Sequence, residues 1–376
     1  MIYSNWKSQI GKLTNMKTTI ASITIFAIIT LFSCQENYVY KEPVSRQDGW
    51  VIANAQEEGM DLKVLQDFGQ AISRMQYRHL HGVLIVKNGK LVFEEYSKGY
   101  SIESKHDIAS VTKSITSALV GIAIDKGHVK SVEDSVWTYY IDSPYENLWD
   151  PAKKAIRIKD LLTMRHGLDC DDFKNTTGDF NEMIRLDDHL PYVLDIKMVS
   201  AVDKVNAYCT GSTQLLEPVI SSSTSMSVED FANKNLLVPI GIKSYEWNKM
   251  KNGKPTLGFG ARMTPRDMAK FGLLYLQKGK WGELQIISDN WISESLTSNG
   301  KLFGAIDYGY LWYIEPTLKI HDRRISYYDA AGHGGQTIAI YPSLNMVVVI
   351  TAGNYNDEDD YYSMLEKYIV KASIVK

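Results

Sequence analysis

The chain has 376 residues, enough to bury a large core in two or three domains, or in one domain with a sizeable insertion. Its 41 basic and 44 acidic residues leave a formal charge of -3, so it lacks the strong positive field that recruits nucleic acid. The first segment stands apart from the rest. Lys12 and Lys17 precede an apolar run from Ile20 to Phe32 that closes on Ser33-Cys34, the layout of an export signal. The run is shorter than the ~20 residues that a helix needs to cross hydrocarbon.

Leu31-Phe32-Ser33-Cys34 resembles the lipobox of bacterial lipoproteins, which implies removal of residues 1–33 as a signal peptide and lipidation of Cys34. The expected location is then the bacterial cell envelope, with the membrane reached through that anchor. Residues 34–50 carry no apolar periodicity and read as a linker, leaving 51–376 as the folded domain. Two further cysteines, Cys170 and Cys209, form an even pair that is compatible with a disulfide in an oxidising compartment.

Along the folded body, Leu62, Leu65, Phe68, Ile72 and Met75 recur at three or four residues and predict an amphipathic helix. Two β-rich runs between Gly82 and Tyr96 flank Asn88-Gly89, a pair suited to a tight hairpin turn. The stripe Ile115, Ala118, Leu119, Ile122 and Ala123 predicts a helix from about Ser110 to Lys126, closed by Gly127. Helical signals dominate to about 235, including Ile158 to Met164, Ser212 to Ser221 and a capping-box-like Ser227-Val228-Glu229-Asp230. Thr264-Pro265-Arg266-Asp267 opens another helix with a cap, a proline and an acid in order. Strands are expected at 308–314, 325–329, 337–341 and 346–351, and a last helix over 361–374. Strands at both ends and helices between them predict an α/β (α+β) body: an antiparallel sheet flanked by N- and C-terminal helices, with an inserted all-helical region at about 110–235.

Chemistry enters at Ser110-Val111-Thr112-Lys113. A serine hydroxyl near neutral pH needs a base within reach, and a spacing of three puts hydroxyl and amine on one helix face. Asp107 to Ser114, followed by an apolar helix, is similar to the first motif of class C beta-lactamases, DD-peptidases and related esterases and amide hydrolases. Leu161-Leu162-Thr163-Met164-Arg165-His166-Gly167-Leu168, Tyr208-Cys209-Thr210-Gly211 and His333-Gly334-Gly335-Gln336 resemble that family's later segments in the required order.

The resemblance implies a beta-lactamase/transpeptidase-like fold and a serine hydrolase that needs no cofactor and no metal. Ser110 is then the nucleophile, Lys113 its proton-transfer partner, and Tyr208 shares the proton and protonates the leaving group. The backbone N–H groups of Ser110 and Gln336 form the oxyanion hole. Thr210, His333 and Gly335 border the substrate, an ester or amide of small-molecule or peptide type. Two departures separate this chain from true class C beta-lactamases. Thr210 stands where they carry asparagine, and His333 where they carry lysine, the fixed cation that a substrate carboxylate needs. Esterase or amidase chemistry is therefore favoured over beta-lactam hydrolysis. The alternatives are a penicillin-binding-like protein that deacylates slowly, and a non-catalytic envelope lipoprotein that only binds. Asp169, Asp171 and Asp172 read as a polar loop. The aromatic residues Tyr308, Tyr310, Trp312, Tyr313, Tyr327 and Tyr328 read as sheet packing, with some at the cleft.

Overall fold

The computed structural model describes residues 37–320, 322–356 and 358–374. The expected signal segment and Cys34 lie outside the described residues. Helix α1 (Leu62–Ser73) is capped by Asp61, whose carboxylate accepts from the N–H groups of Lys63 and Val64, and it buries Leu65, Phe68 and Ile72. Strands β1 (Leu80–Lys87) and β2 (Lys90–Tyr96) form the expected hairpin, with Asn88 at φ 52° and Gly89 at φ 78° supplying the left-handed turn. The principal helices follow: α2 (Val111–Asp125), α3 (Leu216–Thr224) and α4 (Pro265–Leu276). Thr264 caps α4 by accepting from the Asp267 N–H, as its motif predicts.

The strands β3 (Lys301–Phe303), β4 (Ile306–Tyr308), β5 (Tyr313–Ile314), β6 (Tyr328–Gly332), β7 (Gln336–Tyr341) and β8 (Met346–Ala352) complete the sheet. A closing helix, α5 (Tyr361–Met364), continues as a π-helical turn over Leu365–Val370. The eight strands run in the order β2-β1-β8-β7-β6-β5-β4-β3, and every pairing is antiparallel. The central strands are covered on both faces, which is why β8 reads as a continuous Val-Val-Val-Ile run. Val347 and Val349 point to the core that holds α2 and α4, while Met346, Val348 and Ile350 point to the core under α1 and the C-terminal helix.

Three local expectations change. The run 308–314 is two short strands, because Leu311 turns at φ 59° and Gly309 lies so close to the Ser295 carbonyl that a Cβ would sit 2.0 Å from it. The run 325–329 divides between Arg323–Ile325, paired with Leu318–Ile320, and β6. Residues 38–50 are not a free tether. The Tyr40 hydroxyl donates to the Val92 carbonyl, and the buried Arg266 guanidinium reaches Asp48 at 2.7 Å, the Val44 carbonyl at 2.8 Å and Glu94 at 2.5 Å. The packed body accordingly starts at Tyr38.

Candidate active site

Ser110 sits at the junction between the short strand His106–Asp107 and α2. Ala109 turns the chain at φ 46°, a left-handed conformation that costs a non-glycine residue on the order of 1 kcal/mol or more. A serine at a helix start ordinarily bends its hydroxyl back to cap an N–H. Ser110 does not: its backbone is already helical at φ -69° and ψ -8°, and its side chain makes no cap bond. Its oxygen accepts instead from Lys113 Nζ at 3.0 Å. Helix α2 is buried from Val111 to Ala123 and is tied to its surroundings by its own hydroxyls. Ser114 donates to the Leu311 carbonyl and Thr116 to the Leu257 carbonyl, each at 2.7 Å.

Lys113 is 1% exposed and spends its three donors on Ser110 Oγ, Thr210 Oγ1 at 2.8 Å and the Gly258 carbonyl at 2.8 Å. Its ammonium also lies 4.8 Å from the Tyr208 ring centroid. The structure thus brings together Ser110, Lys113, Tyr208 and Thr210. Gly258 has no counterpart in the sequence reading. It acts through its carbonyl, and a Cβ there would meet Thr213 Oγ1 at 2.6 Å and Thr210 Cγ2 at 2.7 Å, so only glycine brings that oxygen to the lysine.

The Tyr208 segment is held against residues 163–172 by a ladder of contacts. Ala207 N–H donates to the Met164 carbonyl at 2.8 Å, and Asp172 N–H to the Tyr208 carbonyl at 2.7 Å. Cys170 and Cys209 are joined in a disulfide with Cα atoms 5.4 Å apart. Asp172, read from the sequence as loop polarity, accepts from the Thr210 N–H with both oxygens, at 3.2 and 3.0 Å. Burial raises its carboxyl, and the nearby Lys113 charge and the Thr210 hydrogen bonds oppose that rise. The Cys170 sulfur, an Asp172 oxygen and the Cys209 sulfur lie within 4.8 Å of one another, but the bridge consumes both thiolates that a metal would require.

His166 is fully buried, with Nε2 3.0 Å from the Ala207 carbonyl and Nδ1 accepting from the Leu168 N–H. That pattern places its proton on Nε2. Burial pushes His166 down to about 4, and also His81 and His106, the last two residues being stacked around Tyr100. Neutral histidine contributes stability that is present above its ordinary value near 6.5 and lost as pH falls through about 4. Glu315 carries the opposite sign. Burial lifts it to about 7, so its contribution is full below its ordinary value of 4.5 and lost as pH rises through about 7. Asp329, raised first by burial and next by Glu315, acts in the same direction. The melting temperature should therefore peak near pH 6.5 and fall toward both pH 4 and pH 8, with Glu315→Gln reducing the alkaline fall. Melting curves across that range check this, and a flat profile from pH 4 to 6.5 contradicts it.

Three residues of the third motif are placed differently from expectation. Gln336 opens β7, an interior strand paired with β6 on one side and β8 on the other, and its side chain bridges to Ala352. Its strand therefore lies between two paired neighbours. The open edge belongs to β6, which pairs with β5 only at Tyr328 and Asp329. Gly335 turns at φ 86°, and a Cβ there would strike the Tyr361 ring at 2.4 Å, so it is small for the turn and the C-terminal helix. The glycine that approaches the nucleophile is Gly332, where a Cβ would lie 2.4 Å from the Ile108 carbonyl and 3.2 Å from Ala109 Cβ. His333 packs 5.2 Å from the Tyr355 ring and lines a cavity of about 390 Å³ with Asn354 and Tyr362. Tyr208 packs elsewhere, against Phe173, Phe303, Tyr308 and Tyr313. Gly332→Ala should displace the loop before Ser110 and lower kcat/KM by roughly a hundredfold, the scale of a 1 Å misplacement at a reacting centre. Gly335→Ala should act on the melting temperature first. Parallel rate and melting measurements separate the two, and equal rate losses would contradict the assignment.

An antiparallel sheet between two helical layers, with serine and lysine on the first turn of a buried helix at its edge, defines the beta-lactamase/transpeptidase-like class. The chain belongs to the beta-lactamase family, whose sequence profile matches residues 68–368. It is 20% identical over 250 residues to the 6-aminohexanoate-dimer hydrolase of Paenarthrobacter ureafaciens, a match that spans 60% of this chain and 59% of that relative. A Bacillus anthracis protein assigned as a 6-aminohexanoate-dimer hydrolase superposes with a TM-score of 0.68 at 20% identity, covering 81% of each chain. EstCE1, a hydrolase with promiscuous acyltransferase activity, superposes at 0.64 with 14% identity, over 85% of this chain and 98% of that one.

Proposed function

We propose that the protein is a cofactor-independent serine hydrolase that cleaves an ester or amide through an acyl-enzyme on Ser110. The observation that carries this reading is the Lys113 ammonium, 3.0 Å from an uncapped Ser110 hydroxyl and fixed by two further acceptors. When Lys113 gives up a proton, Thr210 and Gly258 hold its two remaining N–H groups and the lone pair turns to the serine proton. Ser110 Oγ then bonds the carbonyl carbon, its proton passing to Lys113. The C–O or C–N bond breaks as Tyr208 donates to the departing oxygen or nitrogen and is reprotonated from Lys113. Water repeats the sequence on the acyl-enzyme and frees the acid.

The developing oxyanion is stabilised by the Ser110 N–H at the head of α2, where the helix dipole adds to it. The second donor belongs on the open edge of β6. The Gly332 carbonyl accepts from Gly335 and so faces β7, which directs the backbone of its strand neighbour Ala331 outward. The family relatives, an amide hydrolase and an acyl-transferring hydrolase, support ester and amide chemistry. Thr210, which binds Lys113 where class C beta-lactamases carry asparagine, argues against efficient beta-lactam turnover. A hydrolysis screen of p-nitrophenyl esters, D-amino-acid amides and nitrocefin, run beside Ser110→Ala, tests the reading. Turnover of an ester or amide that Ser110→Ala lacks supports it, and equal rates for the two proteins refute it.

Export and lipidation belong to the same proposal, resting on the Lys12 to Cys34 segment. Mass spectrometry of the membrane fraction should find an acylated Cys34 as the first residue. An unmodified chain with another N-terminus contradicts it.

A further inference from the structure

Beside Tyr208 stands a wall of aromatic rings that takes no part in the proton transfers proposed above. Phe173 comes from the loop after Cys170 and Phe303 from β3, and their rings meet edge to face at 5.0 Å. Both contact Tyr208, at 5.6 and 5.8 Å. Tyr313 extends the surface, 6.3 Å from Phe303 and 6.3 Å from Tyr208. Phe173 is 69% exposed. A single exposed phenylalanine is unremarkable, but Phe173 continues into the half-buried Phe303 and Tyr313 as one contiguous aromatic patch against Tyr208.

The loop holds Phe173 in place. Its N–H donates to Asp171 Oδ1 at 3.1 Å, and the adjacent Asp172 is fixed to Tyr208 and Thr210. The charges on either side are paired with each other: Lys174 with Asp171 at 2.6 Å, and Lys301 with Asp307 at 3.4 Å. The wall therefore offers π-faces and edges with its flanking charges engaged, a surface for an apolar or aromatic group and a poor one for a carboxylate.

We infer that this wall selects the leaving group, and that the preferred substrates are esters or amides of an apolar, aryl-bearing alcohol or amine. The inference rests on the proposed role of Tyr208, since the group that receives its proton must lie beside this residue, whose ring Phe173 and Phe303 touch. The acyl group, on the other side of the scissile carbonyl, is not read by this wall.

Two ester series test this with the full chain. One varies the alcohol at constant acyl group, from ethyl acetate to 2-phenylethyl and 3-phenylpropyl acetate, whose alcohols have similar acidity. The other varies the acyl group at constant alcohol, from ethyl acetate to ethyl octanoate. The wild type should prefer 2-phenylethyl over ethyl acetate by about tenfold in kcat/KM, the worth of laying one ring on an apolar surface. Phe173→Ala and Phe303→Ala should each lower that ratio, and the double variant should bring it near one. Phe173→Leu, which keeps an apolar face, should retain part of it. A ratio that survives the double variant, or discrimination confined to the acyl series, overturns the inference. If Phe303→Ala fails to fold by circular dichroism, the exposed Phe173→Ala alone decides. Failure of the underlying reading looks different: Ser110→Ala would then hydrolyse these esters at the wild-type rate.

Discussion

Ser110→Ala should lower turnover of the best ester substrate by roughly 10⁴-fold or more, and Lys113→Met should do nearly the same. The two side chains act as a unit, because a hydroxyl without a base and a base without a nucleophile are both ineffective. The double variant should be little worse than either single one. Lys113→Met keeps the buried apolar stem but leaves the Thr210 hydroxyl and the Gly258 carbonyl without their shared donor, an expected cost of about 1–3 kcal/mol in stability. Circular dichroism and melting curves distinguish that loss from the loss of chemistry. His333→Ala should stay well under the roughly hundredfold that a proton-transfer group contributes, because its ring packs on Tyr355 and away from Tyr208. Additive losses at Ser110 and Lys113 would contradict the shared mechanism.

Breaking the disulfide should have the largest effect on stability. Cys170 and Cys209 are 39 residues apart, and closing a loop of that length removes about 4 kcal/mol of chain entropy from the unfolded state. Cys170→Ser with Cys209→Ser should therefore lower the melting temperature by roughly 5–10 °C. Turnover at 25 °C should fall less, since the backbone bonds of Ala207 and Asp172 still hold the Tyr208 segment in register. Melting curves with and without reductant give the comparison. Free thiols on non-reducing alkylation of the native protein, together with an unchanged melting temperature, would contradict it.

The parts of the site that were legible in the sequence are those that one local element carries. Ser110 and Lys113 share one helix turn, so their spacing alone states their proximity. Asn88-Gly89 and Thr264-Pro265 announce a turn and a helix start through backbone chemistry of their own. What was not legible depends on strand order and on main-chain atoms. Gly258 contributes a carbonyl, which no residue pattern marks. Asp172 binds an N–H 38 residues away, and its carboxylate looks like any other in a polar loop. Gln336 opens the interior strand of its hairpin, and the motif marks a hairpin but not which of its strands is the open one. That follows only from the short pairing of β5 with β6. Tyr38, Tyr40 and Asp48 looked like tether because their partners, Glu95, Val92 and Arg266, are remote in the chain.

A covalent acyl-enzyme on Ser110 is detected most directly by intact-protein mass spectrometry after rapid quenching with an activated ester. A transient mass gain equal to the acyl group is expected, mapped by proteolysis to the peptide containing Ser110 and absent from Ser110→Ala. Continued turnover with no adduct, or an adduct on another residue, would contradict it.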